Sequence, residues 1–393
     1  MLFSIIGGID YMRGKKNGYG EKYEAAYKTL PELSLAMIGI TCLVPVLKIV
    51  LTPIVSPVFK LLGANPACFA GALLACDMGG YPLAMQMAGE DKKSIGMFSG
   101  LILGTLLGVT FVFNIPVGMA MIPKQYHLYY AYGTLIGLTT VPFGCIAGGY
   151  AMNLTKYKMS TKDIMFNTLP VLIISLIISL CLYFYPKGTM RAFLKFSKVI
   201  DFLKIFGAMV AFFQIFTTIK LPLLYVIALP EFNDGTNPLN VCLLVIGTIG
   251  VMLTGTFPMV HFISKTCGGC LASLGKRIKL TSQDSTAMLS ILASSIPFWE
   301  MFPKMGEHGM IIASGFNVGA SYIIGDHLGY LGSVAPEMIL PTMIGKLTQG
   351  ILALIIGVFV SDFFVEKARE DVQLESNTDL PRFTDSVEIT ECE

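Results

Sequence analysis

Long apolar runs, separated by short segments with charge, glycine or proline, dominate the pattern of the chain. Ten of them hold about the 20 residues that a helix needs to cross a bilayer core. The pattern predicts an all-α polytopic membrane protein with about 10–11 transmembrane helices. Two further runs are too short to cross alone: 221–229, and 2–12, which lacks signal-peptide features and is expected to be a re-entrant stub or the remainder of a longer first helix. The ten long runs are 33–51, 66–88, 94–122, 128–152, 167–185, 199–219, 239–263, 285–302, 310–331 and 337–361.

The composition agrees with a chain that is solvated largely by lipid. Apolar residues make up 54% of the sequence and charged residues only 14%, whereas soluble domains carry roughly 25% charged residues. The mean hydropathy is +0.67. A soluble enzyme and a nucleic-acid-binding protein are therefore not expected.

The few charges are unevenly distributed along the chain. Residues 13–32 contain five lysines and arginines, whereas residues 52–65 contain one, which places the first of these loops in the cytoplasm. Residues 362–393 hold ten acidic and three basic residues. We therefore expect one transmembrane domain over residues 1–361, followed by an acidic, exposed and disordered tail.

Two stretches in different halves of the chain resemble each other. LLACDMGGYP, within the run 66–88, is echoed by ILASSIP, within the run 285–302, and an apolar run containing Ser-Gly follows each of them. Transporters are often built from inverted repeats with helices interrupted by glycine or proline. The blocks 66–116 and 285–331 are therefore predicted to be related halves with inverted topology. The predicted helix breaks are Gly79, Gly80 and Pro82 in the first block and Pro297 in the second.

Few ionisable residues interrupt the apolar runs, and a charge at the bilayer centre costs at least ~2.5 kcal/mol. Asp77 and Asp326 lie within runs, have no basic neighbour in sequence, and are the leading candidates for a substrate site. His327 could relay a proton to Asp326, orient it through a hydrogen bond, or simply pack. Lys346 lies in the middle of the last run. The other candidate lining residues are Asn114, Tyr81, Trp299, Ser295 and Glu300.

The sequence lacks the motifs of a membrane-embedded enzyme, which is the weakest of the alternatives. The four histidines are scattered, and neither His-Glu-x-x-His nor Gly-x-Ser-x-Gly occurs. Most of the nine cysteines lie inside apolar runs, where they behave as small hydrophobic residues. The pair Cys267 and Cys270 has no second pair or histidine nearby to complete a metal site. We predict no cofactor and no metal.

Several motifs occur in order along the chain: GANP at 63–66, LACDMGG at 74–80, SGLILG at 99–104, FNIPV at 113–117 and GDHLG at 325–329, followed by Gly345-Lys346. Together they resemble the bacterial ethanolamine-utilization permease family, EutH, over about residues 20–360. The resemblance implies a carrier in the bacterial cytoplasmic membrane that admits ethanolamine for an ammonia-lyase pathway. Two features differ: the family begins with a full first helix, and it carries Asn-Asn-Ile-Pro where this chain has Ser-Ser-Ile-Pro at 294–297.

The chemistry of ethanolamine suits the candidate residues. The molecule is mainly an ammonium cation at neutral pH, with a hydroxyl group two carbons away. Asp77 or Asp326 could hold the ammonium, and Ser295, Asn114 or carbonyls freed at the helix breaks could hold the hydroxyl.

Another small amine, amino acid or cation, carried by the same secondary-transporter architecture, is the main alternative. An amino acid would additionally need a half-helix N-terminus for its carboxylate. The expected partners are the small-molecule substrate and the lipid bilayer, without nucleic acid. Homo-oligomerisation and the choice between facilitated diffusion and proton or sodium coupling stay open.

Overall fold

The computed structural model describes residues 1–217, 219, 221, 238–276 and 280–378, which form helices and connecting turns without a β-strand. Seven helices in this part of the chain are long and apolar enough to cross a membrane. The predicted all-α polytopic class is therefore confirmed. The helices are α1 (Leu2–Met12), α2 (Tyr19–Lys28), α3 (Leu30–Leu61), α4 (Ala67–Leu73), α5 (Tyr81–Ala88), α6 (Glu90–Met121), α7 (His127–Ala151), α8 (Thr161–Phe184), α9 (Pro186–Thr217), α10 (Pro238–Lys276), α11 (Ser282–Ile291), α12 (Ile296–Met301), α13 (Glu307–Ala320), α14 (Asp326–Val334) and α15 (Ile339–Thr378).

Three of the ten long runs are not single helices. The run 66–88 is divided between α4 and α5, the run 285–302 between α11 and α12, and the run 310–331 between α13 and α14. The seven continuous spans and these three interrupted helices together account for the ten runs. A pseudo-twofold relation between the two repeat blocks stays a prediction. Apart from Leu221, the run 221–229 lies outside the described residues. The side chains of Cys267 and Cys270 lie outside them as well.

Helix α6 forms the centre of the molecule. Of its most apolar stretch, 94% of the residues are buried, compared with 28% for α9. The outer helices instead expose large apolar side chains such as Leu176, Phe202 and Leu244, as lipid-facing helices do. Within α6, the stretches Phe98–Gly108 and Thr110–Asn114 are wound as π-helix, a conformation that is frequent at functional sites.

A stripe of glycines at every fourth position of residues 96–108 packs α6 against the first interrupted helix. A Cβ atom added to Gly100 would lie 2.7 Å from Tyr81 Cα, and one added to Gly108 would overlap the Leu74 carbonyl oxygen. Only glycine therefore lets these two backbones approach so closely.

The last helix, α15, continues beyond residue 361 to Thr378. Residues 362–378 are thus helical, although the acidic composition predicts a disordered tail there. Part of the reason is an ion pair, because Arg369 on this extension pairs with Glu307 at the start of α13. Residues 379–393 lie outside the described part of the chain.

We expect Gly108→Ala to destabilise the folded protein by about 1–3 kcal/mol, the usual cost of overpacking, because the new methyl group would meet the Leu74 carbonyl. The check is the thermal unfolding midpoint of detergent-purified protein. Gly247→Ala is the matched control, since a Cβ at this helical glycine of α10 meets no atom within 4 Å. Equal midpoints for the two variants would contradict the packing role of the stripe.

Candidate substrate site

The first helix break lies between Leu73, the last residue of α4, and Tyr81, the first residue of α5. The chain is extended at its start and turns sharply at Gly79, whose φ is +84°. A Cβ atom at Gly79 would overlap Ile40 of α3. The Ala75 carbonyl accepts hydrogen bonds from the N–H groups of Met78 at 3.1 Å and Gly80 at 2.9 Å. The break is thus a defined turn that places Asp77 outside a regular helix.

Two further unwound segments lie side by side in the second half of the chain. One joins α11 to α12, and the other joins α13 to α14. The N–H of Tyr322 donates to the Ile291 carbonyl at 3.0 Å, and the N–H of Ile324 donates to the Leu292 carbonyl at 2.9 Å. A Cβ atom at Gly325 would overlap a main-chain oxygen of the other segment. These contacts satisfy main-chain groups that would otherwise be unpaired at membrane depth.

A cavity of about 110 Å³ lies where the three unwound segments meet α3, α6 and α10. An engineered cavity of about 150 Å³ binds benzene, so the volume suits a molecule of a few heavy atoms. Both predicted carboxylates, Asp77 and Asp326, line this cavity, as does His327. No lysine or arginine among the described residues lines it, so the wall is acidic.

Three potential acceptor atoms lie close together around Asp77, and two of their three residues, Asp77 and His327, line the cavity. The thiol of Cys76, a carboxylate oxygen of Asp77 and a ring nitrogen of His327 all lie within 4.8 Å of one another. His327 is buried, and its Nδ1 makes no hydrogen bond with the described residues. A buried polar atom normally has a partner. The arrangement can therefore receive a cation, either a metal ion or an ammonium group with its three N–H donors.

Two aromatic rings, those of Phe113 and Tyr322, form another part of the wall. Tyr322 has a φ of +60°, a strained conformation for a bulky residue. Its ring contacts those of His327 and Phe113, with centroids 5.2 and 5.9 Å away. Its hydroxyl donates to Asn114 Oδ1 at 3.1 Å, and Asn114 Nδ2 donates to Ser321 at 3.2 Å. Asn114 therefore supports the wall from behind.

The remaining predicted residues lie outside the cavity lining. Ser295 is buried and donates to Asn317 Oδ1 at 2.6 Å, so its neighbour Ser294 is the serine that lines the cavity. Trp299 is buried against Phe113, with ring centroids 6.2 Å apart.

The other predicted residues lie on the short helices α5 and α12, which follow the helix breaks. Tyr81 packs against Tyr330, and Glu300 is exposed on α12. Pro82 and Pro297 occupy the first turns of α5 and α12, where the missing N–H costs no helical hydrogen bond.

Tyr322 and Lys346 are among the residues that sequence reasoning left out of the candidate site, as are Cys76, Phe113 and Ser294. Nothing in the sequence marks Tyr322, because its position depends on a backbone conformation. Lys346 is conspicuous as a charge in the middle of an apolar run. It is 1% exposed and donates from Nζ to the main-chain oxygen of Thr105 on α6 at 2.7 Å.

Comparison with known proteins agrees with the motifs and with this architecture. Residues 1–360 match the family model described as "Ethanolamine utilisation protein, EutH". The chain belongs to the EutH family. It is 35% identical to the "Probable ethanolamine permease EutH" of Listeria monocytogenes over 379 residues, 96% of this chain and 97% of the relative. Identity is also 35% to the protein of the same name in Escherichia coli over 365 residues, 90% and 89% of the two chains.

A further EutH relative carries no functional name. It is the "Uncharacterized protein YxeR" of Bacillus subtilis, 35% identical over 351 residues, 89% of this chain and 90% of the relative. No solved structure matches the chain. The resemblance inferred from the motifs is thus confirmed at the level of the family.

We expect Gly325→Ala to abolish transport, because its methyl group would push the two unwound segments apart and distort the cavity wall. The check is uptake of radiolabelled ethanolamine by cells with matched membrane amounts of protein. Gly188→Ala on α9 is the control, since the nearest atom to its added Cβ is 3.9 Å away. Normal uptake by Gly325→Ala would show that the close contact is not needed.

Proposed function

We propose that this chain is an ethanolamine permease, which moves its substrate as an ammonium cation across the bacterial cytoplasmic membrane. The observation that carries the proposal is the group of acceptor atoms around Asp77 and His327 at the wall of a small acidic cavity. Family membership and the names of the relatives support a permease and not an enzyme. The seven apolar spans support a multi-pass membrane location.

Asp77 is the proposed ligand of the ammonium group. Its carboxylate can form a charge-assisted hydrogen bond, the strongest kind available to an ammonium. The other two N–H donors can reach a ring nitrogen of His327 and the weaker acceptor Cys76 Sγ. Phe113 and Tyr322 add the negative faces of aromatic rings to the wall.

The hydroxyl group of the substrate has two candidate partners on the cavity wall, Ser294 and Asp326. Ser294 Oγ accepts a weak hydrogen bond from the Ile296 N–H at 3.4 Å, which leaves its own proton free to donate. The carboxylate of Asp326 can accept a hydrogen bond from the hydroxyl group of the substrate. The proposal thus replaces Ser295, whose hydroxyl already donates to Asn317.

An amino acid fits the cavity less well than an amine does. A substrate carboxylate would need a positive partner such as the N-terminus of α14. Asp326 occupies the first turn of that helix, and a second carboxylate there would be repelled. Another small amine remains the closest alternative substrate. The absence of a nucleic-acid partner and the oligomeric state stay predictions.

We expect Asp77→Asn to lower ethanolamine uptake at low substrate concentration by at least about tenfold, because a hydrogen bond to a charged group contributes about 1.5–3 kcal/mol. Asp326→Asn is expected to lower it as well. The measurement is initial uptake of radiolabelled ethanolamine, normalised to protein in the membrane. Asp91→Asn is the control, since Asp91 is an exposed carboxylate near the start of α6. Parental rates in both site variants would rule out the carboxylate site.

Competition distinguishes an amine site from an amino-acid site. Unlabelled ethanolamine should reduce uptake of the labelled substrate most strongly. Glycine and serine should compete poorly because their carboxylates face Asp326. Choline should compete poorly too, since its quaternary nitrogen has no N–H to donate to the three acceptors. Stronger competition by glycine or serine than by ethanolamine would favour the amino-acid alternative.

A further inference from the structure

Lys346 is a fully buried lysine that bonds to α6 where α6 packs on the first helix break, because a Cβ atom at Gly104, the residue before Thr105, would lie 3.0 Å from the main-chain nitrogen of Cys76. It lies in the middle of α15, is 1% exposed, and donates a hydrogen bond to the Thr105 carbonyl at 2.7 Å. A carbonyl offsets part of the desolvation of an ammonium group but carries no negative charge. A lysine that is charged in this position therefore needs a nearby anion.

The carboxylate that acts electrostatically on Lys346 is that of Asp77, the residue after Cys76. Two groups of the first helix break, Cys76 and Asp77, act electrostatically on Lys346, and the charge of Lys346 acts in turn on His327 of α14. Helices α6, α7 and α13 also pack against α15. Among the described residues, these three helices contribute no charged group that acts electrostatically on Lys346. Asp326, on the same cavity wall, is not among its electrostatic partners either.

A second lysine, Lys204 of α9, also acts on Asp77, but its circumstances differ. Its Nζ pairs with Asp201 at 2.9 Å, and its side chain is 12% exposed. Lys204 therefore has a carboxylate partner of its own. Lys346 has no ion pair of its own among the described residues, and it shares the carboxylate of Asp77 with the ammonium group of the substrate.

We propose that Lys346 releases its proton when the ammonium group of the substrate binds Asp77, so that the carrier exchanges one substrate cation for one proton. This inference rests on the proposed function. Two ammonium groups beside one carboxylate in a water-poor site repel each other, and Lys346 can lose its charge whereas a bound substrate that keeps its three N–H donors cannot.

The exchange balances in both protons and charge. On the side from which the substrate enters, the N–H bond of Lys346 breaks and its proton passes to the water on that side as the substrate binds. On the opposite side the substrate leaves, and neutral Nζ takes a proton from water there. One positive charge moves in each direction, so a pH gradient drives the cycle and a membrane potential does not.

The first test measures protons released on binding. Ethanolamine is added at saturation to purified protein in weakly buffered detergent solution with a pH-indicator dye, with the substrate solution adjusted to the same pH. The wild type should release about one proton per substrate bound, and Lys346→Gln should bind without release. Saturable binding by the wild type without proton release would overturn the proposal.

The second test measures initial uptake into proteoliposomes, with Asp77→Asn proteoliposomes as the background for passive entry. Wild-type uptake should rise when the lumen is more acidic and stay unchanged under an inside-negative potassium diffusion potential set with valinomycin. Uptake by Lys346→Gln should follow the potential and not the pH gradient, because this variant would move a net charge. Its accumulation ratio at steady state should then change tenfold for about 59 mV.

Two further variants separate proton exchange from a merely structural role. Lys346→Arg keeps its proton and should bind ethanolamine more weakly than Lys346→Gln, whereas a structural role for the charge predicts the reverse order. Lys204→Gln is the matched control and should keep the proton release of the wild type.

The outcomes distinguish the two proposals. Wild-type uptake above background that follows the potential and not the pH gradient overturns proton exchange alone. Uptake no higher than background overturns the proposed function and this inference with it. The wild-type measurements decide the matter even where a Lys346 variant fails to fold.

Discussion

The need to satisfy main-chain polar groups inside a membrane governs this structure. Each helix break frees N–H and carbonyl groups, and no lipid can receive their hydrogen bonds. The first break satisfies its groups within a tight turn around Gly79, whereas the two later breaks satisfy part of theirs by pairing with each other. The unwound backbone therefore has to lie in the protein interior, and the polar side chains carried by the breaks are gathered around one cavity.

Close packing is the second part of the same constraint. The broken helix α4–α5 can be covered only by a neighbour that comes very close, and the glycine stripe of α6 provides this neighbour. The aromatic wall depends on similar support, since Tyr322 keeps its strained backbone while its hydroxyl is bonded to Asn114. Asn114 and the glycines thus affect the cavity although neither lines it.

Much of this arrangement was predictable from the sequence because its causes are local. Glycine and proline in apolar runs indicate interruptions, and the carboxylates of Asp77 and Asp326 stand out because charge is expensive in lipid. The relation between the two echoed blocks stays a prediction. What local rules do not supply is which unwound segment lies beside which. The pairing of Tyr322 with Ile291 and the hydrogen bond of Lys346 to Thr105 depend on tertiary packing, and so does the exposure of Glu300.

The chemical nature of the acceptors around Asp77 has a consequence for discrimination among cations. Sodium and potassium ions are far more abundant than any amine, and they too are attracted by a carboxylate. These hard ions require several oxygen ligands to replace their hydration water, whereas a thiol and an imidazole are softer ligands that replace it poorly. An ammonium group, in contrast, needs only three directed acceptors. At the proposed site, the combination of one oxygen, one nitrogen and one sulfur atom would therefore leave alkali ions better solvated outside, and would select the amine by the hydration that each cation loses.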